Sequence, residues 1–80
     1  MGFELNGSVY LPADEKMLEV YELADKEISE QDRGTFMGTI EDAKDEELNG
    51  CEVYHIKGYE DSDEICLVKQ DGRYRLYCVE

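Results

Sequence analysis

Cys51 and His55 have the side-chain types that nucleophilic catalysis needs, because an imidazole can take the proton of a thiol and leave a strong nucleophile. They lie four residues apart in a segment that we expect to be a strand, so both side chains point to the same face. Residues at this spacing on a strand are about 13 Å apart, well beyond hydrogen-bond reach. We therefore predict no catalytic residue, and we expect His55 to be an ordinary strand residue.

Asp61 and Asp63 match the first ligands of a calcium-binding loop, in which carboxylates alternate along the chain. The glycine needed at the sixth position is replaced by Cys66, and the closing glutamate is replaced by Gly72. No glycine-rich run matches a phosphate-binding loop. We therefore expect no metal site and no cofactor, and we predict that the protein is not an enzyme.

The elements that carry these residues can be read from turn chemistry and apolar spacing. Residues 65–70 and 73–79 are predicted to form a hairpin around Asp71-Gly72, with Gln70 opposite Arg73. The Asn6-Gly7 pair predicts either a second hairpin or a bulged single strand over residues 3–11. Strands are also expected over two further ranges, 35–40, where Gly38 marks a bulge or a close contact, and 51–59.

A helix is predicted over residues 13–32. Pro12 suits a helix start, and Asp14 favours the positive end of the helix dipole. Apolar residues recur at helical spacing along one face of this segment. The sequence thus predicts a single α+β domain over residues 1–80, with one N-terminal helix packed on a four- to five-stranded, mostly antiparallel sheet.

The two faces of the last hairpin differ in polarity. The face expected to meet the helix carries Ile65, Leu67, Tyr74, Leu76 and Cys78. The opposite face is either a secondary core or a contact surface, and it carries Cys66, Val68, Arg73, Arg75, Tyr77 and Val79.

The charge of the chain is strongly acidic, with 21 acids against 8 bases in 80 residues and a net charge of −13. This excess argues against a protein that grips a phosphate backbone, and short apolar runs argue against a membrane span. The acids concentrate in three segments, residues 14–32, 41–47 and 60–64. Charge runs often do no more than keep a small protein soluble.

The functional hypothesis is that these acids bind a protein partner with a basic surface, namely a basic groove of a nucleic-acid-handling protein. Carboxylates spaced along a helix at Glu15, Glu19 and Glu22 would imitate the phosphates of one strand. We predict no direct contact with nucleic acid or membrane, and a monomer or small homo-oligomer. The candidate partner-binding residues are Glu15, Glu19, Glu22, Glu41, Asp42, Asp45, Glu46, Glu47, Glu60, Asp61, Asp63 and Glu64.

In size, acidity and lack of a catalytic motif, the chain resembles small phage-encoded inhibitors of host defence, such as anti-CRISPR proteins and other nucleic-acid mimics. This resemblance implies an inhibitor. Three cysteines are not a disulfide framework, and the first residues lack the pattern of a signal peptide, so we expect the protein in the cytoplasm, which is the host cytoplasm for a phage protein. Residues 53–59 with residues 65–77 also resemble strand pairs of bacterial extracytoplasmic lipoprotein domains. The alternative function is a sheet-mediated interaction module or an extracytoplasmic domain. The module would bind by addition of a strand at a sheet edge or through Arg73, Arg75, Tyr77 and Val79.

Overall fold

The structure is a computed structural model, and it describes residues 2–79. Asp71 and Gly72 adopt φ values of 52° and 78°, the left-handed conformation of a two-residue hairpin turn. They join β5 (Ile65–Gln70) to β6 (Arg73–Val79). The predicted register is confirmed, because Gln70 pairs with Arg73.

A second hairpin forms at the N-terminal end of the sheet. Asn6 and Gly7 have φ values of 52° and 85°, and they connect β1 (Phe3–Leu5) to β2 (Ser8–Pro12). Of the two alternatives that the sequence left open, the structure has the hairpin. β2 then pairs antiparallel with β6.

The other half of the sheet contains β3 (Arg33–Thr39) and β4 (Glu52–Ile56). The sheet order is β1-β2-β6-β5-β4-β3, and each neighbouring pair is antiparallel. The sheet therefore has six strands, not the four or five that we predicted. The predicted bulge at Gly38 is confirmed by a shift of register between β3 and β4 at this residue.

The sheet curls until its two edge strands approach each other. Asn6 Nδ2 on the β1–β2 turn donates a hydrogen bond to the Met37 carbonyl of β3 at 3.4 Å. A Cβ atom added to Gly38 would lie 3.2 Å from Leu5 Cδ1 of β1. The absence of a side chain at Gly38 therefore lets Leu5 cover this part of β3.

The prediction of a helix over residues 13–32 is wrong, because the α-helix, α1, runs only from Glu15 to Val20. The Leu23 N–H donates to the Leu18 carbonyl and the Glu22 N–H to the Glu19 carbonyl, the hydrogen-bond pattern of a Schellman motif. Leu18 and Leu23 pack in the same apolar cluster, which stabilises this ending. A continuous helix over 13–32 would be about 30 Å long, which nearly equals the longest dimension of the molecule, 31 Å.

Two short 3₁₀ helices, Glu30–Asp32 and Glu46–Leu48, lie in the connections on either side of β3. The second begins within the acidic segment 41–47 and ends at Leu48. None of the helices within residues 2–79 has the length and apolarity needed to cross a bilayer.

Each face of the sheet packs against a core. On the second face of the last hairpin, Cys66, Val68 and Tyr77 are buried, whereas Arg73 and Arg75 are exposed. The face under α1 and the following loop holds Leu23, Tyr54, Ile56, Ile65, Leu67 and Cys78. The face enclosed by the curl and by the 40–51 connection holds Phe3, Tyr10, Ile40, Leu48, Val53, Cys66, Val68 and Tyr77.

Candidate binding surface

Tyr21, the residue that caps the C-terminus of α1, connects the helix to the acidic loop 60–64. Its hydroxyl donates to Glu64 Oε2 at 3.1 Å, and its carbonyl accepts from the Tyr59 hydroxyl at 2.6 Å. The Tyr21 and Tyr59 rings meet edge to face with centroids 5.9 Å apart. Burial raises the pKa of Tyr21, with a further contribution from Glu64, so this hydroxyl remains a donor at neutral pH.

Two of the three acidic segments are therefore adjacent in space although 38 residues separate Tyr21 from Tyr59. We call the candidate partner-binding residues of these two segments the helix–loop surface. It consists of Glu15, Glu19, Glu22, Glu60, Asp61, Asp63 and Glu64.

The third acidic segment lies at the other end of the sheet. The Glu47 carbonyl accepts a hydrogen bond from Gln70 Nε2, at the last residue of β5. Glu64 precedes the first residue of β5, and a strand of this length spans about 17 Å. We call this group the connector surface, and it consists of Glu41, Asp42, Asp45, Glu46 and Glu47.

The shortness of α1 bears on the prediction that Glu15, Glu19 and Glu22 imitate the phosphates of a nucleic-acid strand. Glu22 lies beyond the end of α1 with a left-handed φ of 58°, so it does not continue the helical row of Glu15 and Glu19. The prediction of three carboxylates in helical register at phosphate spacing is therefore wrong. Of the twelve candidate residues, eleven are exposed. Asp45 is half-buried. Its Oδ1 atom accepts a hydrogen bond from the Glu47 N–H and caps the second 3₁₀ helix.

The carboxylates of loop 60–64 are held in place by hydrogen bonds. Glu60 accepts from Thr35 Oγ1 at 3.2 Å and from the Gly58 N–H at 3.3 Å. Asp63 Oδ1 lies 2.8 Å from His55 Nε2. The loop is thus tied to β3 and β4 as well as to α1, and this limits the orientations in which its acids are displayed.

Comparison of the chain with protein-family models, curated proteins and solved structures found no match. The candidate surface is consequently defined by the geometry and charge of its own residues.

The structure places His55, the cysteines and the candidate calcium loop in surroundings that differ from those of a catalytic or metal site. His55 pairs with Asp63, and desolvation raises the pKa of the Cys66 thiol to about 12. Burial also raises the pKa values of Cys51 and Cys78, so thiolates are scarce at neutral pH. Residues 61–72 do not form a calcium loop, because 65–70 are β5. Within residues 2–79, no group of three or more His, Cys, Asp or Glu side chains is placed to hold a metal ion.

The residues of the alternative, sheet-mediated site are only partly accessible. Arg73 and Arg75 are exposed, whereas Tyr77 is 3% exposed and Val79 is half-buried. A partner would meet the two arginines at the start of β6 and could reach Tyr77 only after the core opened.

Sequence reasoning missed the residues that orient the acids, namely Tyr10, Tyr21 and His55. Tyr21 lies inside the segment that we predicted to be one long helix, and we expected His55 to be an ordinary strand residue. The sequence contained a signal for the role of His55. His55 lies one residue before the end of β4 and Asp63 lies two residues before β5, so the loop that joins these strands brings Asp63 back toward His55.

Proposed function

We propose that the protein is a non-enzymatic acidic binding protein. It presents a carboxylate-rich surface to a basic groove of a nucleic-acid-handling protein and thereby inhibits or regulates that partner. The observation that carries the proposal is the joining of two acidic segments through Tyr21, Tyr59 and Glu64.

Electrostatics supports this proposal. Grouped like charges destabilise a compact chain through their mutual repulsion, so a small domain gains no stability from placing two acidic segments side by side. The same grouping accelerates encounter with a positively charged partner. A carboxylate surface held by a rigid sheet also loses less conformational entropy on binding than a mobile tail of the same charge.

An exposed apolar residue lies within the proposed contact region. Val20, the last residue of α1, is 78% exposed and stands between Glu19 and Tyr21 in the chain. Interfaces combine an apolar centre with a polar rim. Val20 gives the helix–loop surface an apolar contact that a purely electrostatic patch would lack.

Two variants that each remove three charges test the proposal. The helix–loop variant combines Glu19→Gln, Glu22→Gln and Asp61→Asn, and the connector variant combines Glu41→Gln, Asp42→Asn and Glu46→Gln. Each is immobilised and used to capture binding proteins from the source cells or their host. We expect the wild-type protein and the connector variant to retain the same basic partner, and the helix–loop variant to lose it. Equal capture by both variants would exclude the helix–loop surface as the contact region.

A charge reversal separates this proposal from sheet-mediated binding. Arg73→Glu with Arg75→Glu changes the two accessible residues of the alternative site and leaves the helix–loop surface intact. We expect capture of the partner to be nearly unchanged. Loss of capture in this variant, with retention in the helix–loop variant, would favour the sheet-mediated module.

A further inference from the structure

Asp63 differs from the other acids of loop 60–64 because both its side chain and its backbone bind the sheet. Its carboxylate is 79% exposed, yet Oδ1 lies 2.8 Å from Nε2 of His55, whose side chain is only 15% exposed. Its carbonyl accepts a hydrogen bond of 2.6 Å from the Tyr10 hydroxyl. A residue that stands at the surface is therefore attached to two residues of the interior.

Tyr10 is a rigid donor for this contact. The residue is 1% exposed, and its ring stacks on Phe3 with centroids 5.2 Å apart and planes 20° from parallel. Burial raises the pKa of Tyr10, with smaller contributions from Cys66 and Asp63, so its hydroxyl stays protonated and donates. The hydrogen bond joins β2 to a loop 53 residues further along the chain.

His55 is oriented toward the same residue. Its Nδ1 atom is buried without a hydrogen-bond partner among the described residues, and its Nε2 atom faces Asp63. A carboxylate only accepts hydrogen bonds, so Nε2 must carry the proton. The polar contact of this mostly buried ring is therefore made with the loop.

We infer that Asp63 is the anchor of loop 60–64, and that Tyr10 and His55 are positioning residues that act through it. In this arrangement, Asp63 fixes the loop between the contact of Glu60 with Thr35 and the contacts of Glu64 with Tyr21 and the Val79 N–H, and the exposed carboxylates of the loop face the partner. The functional part of this inference rests on the proposed function, because it concerns how the helix–loop surface is pre-organised for binding.

Substitutions at Asp63 separate anchoring from charge. Asp63→Asn removes the charge but keeps an oxygen that accepts from His55, whereas Asp63→Ala removes both. Amide hydrogen exchange at Ser62 and Glu64 reports on the loop, because these N–H groups bond to the Tyr59 carbonyl and to Ser62 Oγ. We expect Asp63→Ala to accelerate exchange about three- to tenfold, as expected for loss of one hydrogen bond. We expect Asp63→Asn to exchange like the wild-type protein.

Matched variants of the two positioning residues complete the test. Tyr10→Phe keeps the stacked ring and removes only the hydroxyl, so we expect faster exchange in loop 60–64 without loss of the sheet. His55→Gln keeps a nitrogen donor. We therefore expect amide hydrogen exchange in loop 60–64 to be slower in His55→Gln than in His55→Ala. Two results would contradict the role of Asp63 as the anchor. One is amide exchange at the wild-type rate in both Asp63→Ala and Tyr10→Phe, and the other is equally fast amide exchange in Asp63→Asn and Asp63→Ala.

Binding to a decalysine peptide distinguishes failure of the anchor from failure of the proposed function. We expect Asp63→Asn to bind this probe more tightly than Asp63→Ala, because the two have the same charge and differ only in the anchor. Equal affinity of the two variants would show that the anchor does not serve binding. If the wild-type protein does not bind decalysine but its exchange responds as expected, the proposed function fails and the anchor stands.

Discussion

Asp32 is a buried acid that makes an ion pair and a capping hydrogen bond, and it lies outside the candidate surface. It is 8% exposed, with Oδ1 2.8 Å from Lys26 Nζ and Oδ2 accepting from the Ser29 N–H at 3.0 Å. Ser29 in turn caps the 3₁₀ helix, which completes a reciprocal capping box. The hydrogen bond from Lys26, followed by that from Ser29, lowers the pKa of Asp32 below its ordinary value.

This lowered pKa makes part of the stability dependent on pH. A carboxyl group with a depressed pKa stabilises the fold above its unfolded pKa, and this contribution is lost as the pH falls through the folded pKa. We expect Asp32→Asn to lower the free energy of unfolding by about 1–2 kcal/mol near neutral pH. The difference from the wild-type protein should shrink as the pH falls below the ordinary carboxyl value of 3.8 and through the lowered pKa of Asp32, where the wild-type carboxyl also becomes neutral.

Denaturant unfolding of both proteins at several pH values measures this effect. Glu30→Gln is the control, because its side chain is 74% exposed and its ion pair with Arg33 is 3.9 Å long. We expect little change in that variant. A difference between Asp32→Asn and the wild-type protein that persists or grows in acid would contradict the assigned role of Asp32.

Residue roles were only partly predictable from the sequence. The raised pKa of the Cys66 thiol follows from its burial, which the apolar strand pattern around it already predicts. The roles of Tyr10 and Asp32 were not predictable. The role of Tyr10 depends on a contact with Asp63, 53 residues away, and local sequence carries no information about that partner. The partners of Asp32, Lys26 and Ser29, are local, but the predicted helix over residues 13–32 placed all three inside one continuous helix.

At the scale of elements, the end of α1 decides how the acids of the first segment are arranged. Glu22 occupies the left-handed position of the Schellman motif, where glycine is usual and a side chain costs about 1 kcal/mol or more. The burial of Leu23, which is 4% exposed, offsets this strain.

Glu22→Gly distinguishes the observed helix end from a continuous helix. In the Schellman motif, the substitution removes left-handed strain, and we expect the free energy of unfolding to rise by about 0.5–1 kcal/mol. In a continuous helix over 13–32, the same glycine would destabilise the protein by about 1 kcal/mol. Denaturant unfolding shows whether the free energy of unfolding rises or falls. Glu19→Gly, inside α1, is the matched control and should be destabilising.

The elements could be predicted where turn chemistry is local. Asn6-Gly7 and Asp71-Gly72 specify their hairpins because their residues accept positive φ. The helix was overestimated because helical spacing continues to Ile28, while the chain reverses at Glu22 to bury Leu23 against the sheet. Tertiary packing overrode the local pattern, and no glycine marked the change.

At the scale of the whole molecule, the placement of charge follows from the order of the strands. The exposure of the acids was predictable, since they lie outside the apolar strand segments. Their grouping was not, because it depends on β2 lying beside β6 and on the chain returning over the sheet through α1. This path leaves the helix–loop surface at one end of β5 and the connector surface at the other.

The central claim is that binding depends on the charge of the helix–loop surface. The most direct test is the affinity of the wild-type protein for its captured partner, measured between low and physiological ionic strength. We expect the affinity to fall about tenfold or more as salt screens the carboxylates. The helix–loop variant should show a shallower dependence, because it retains fewer of these charges. An affinity that does not change with ionic strength would contradict the account.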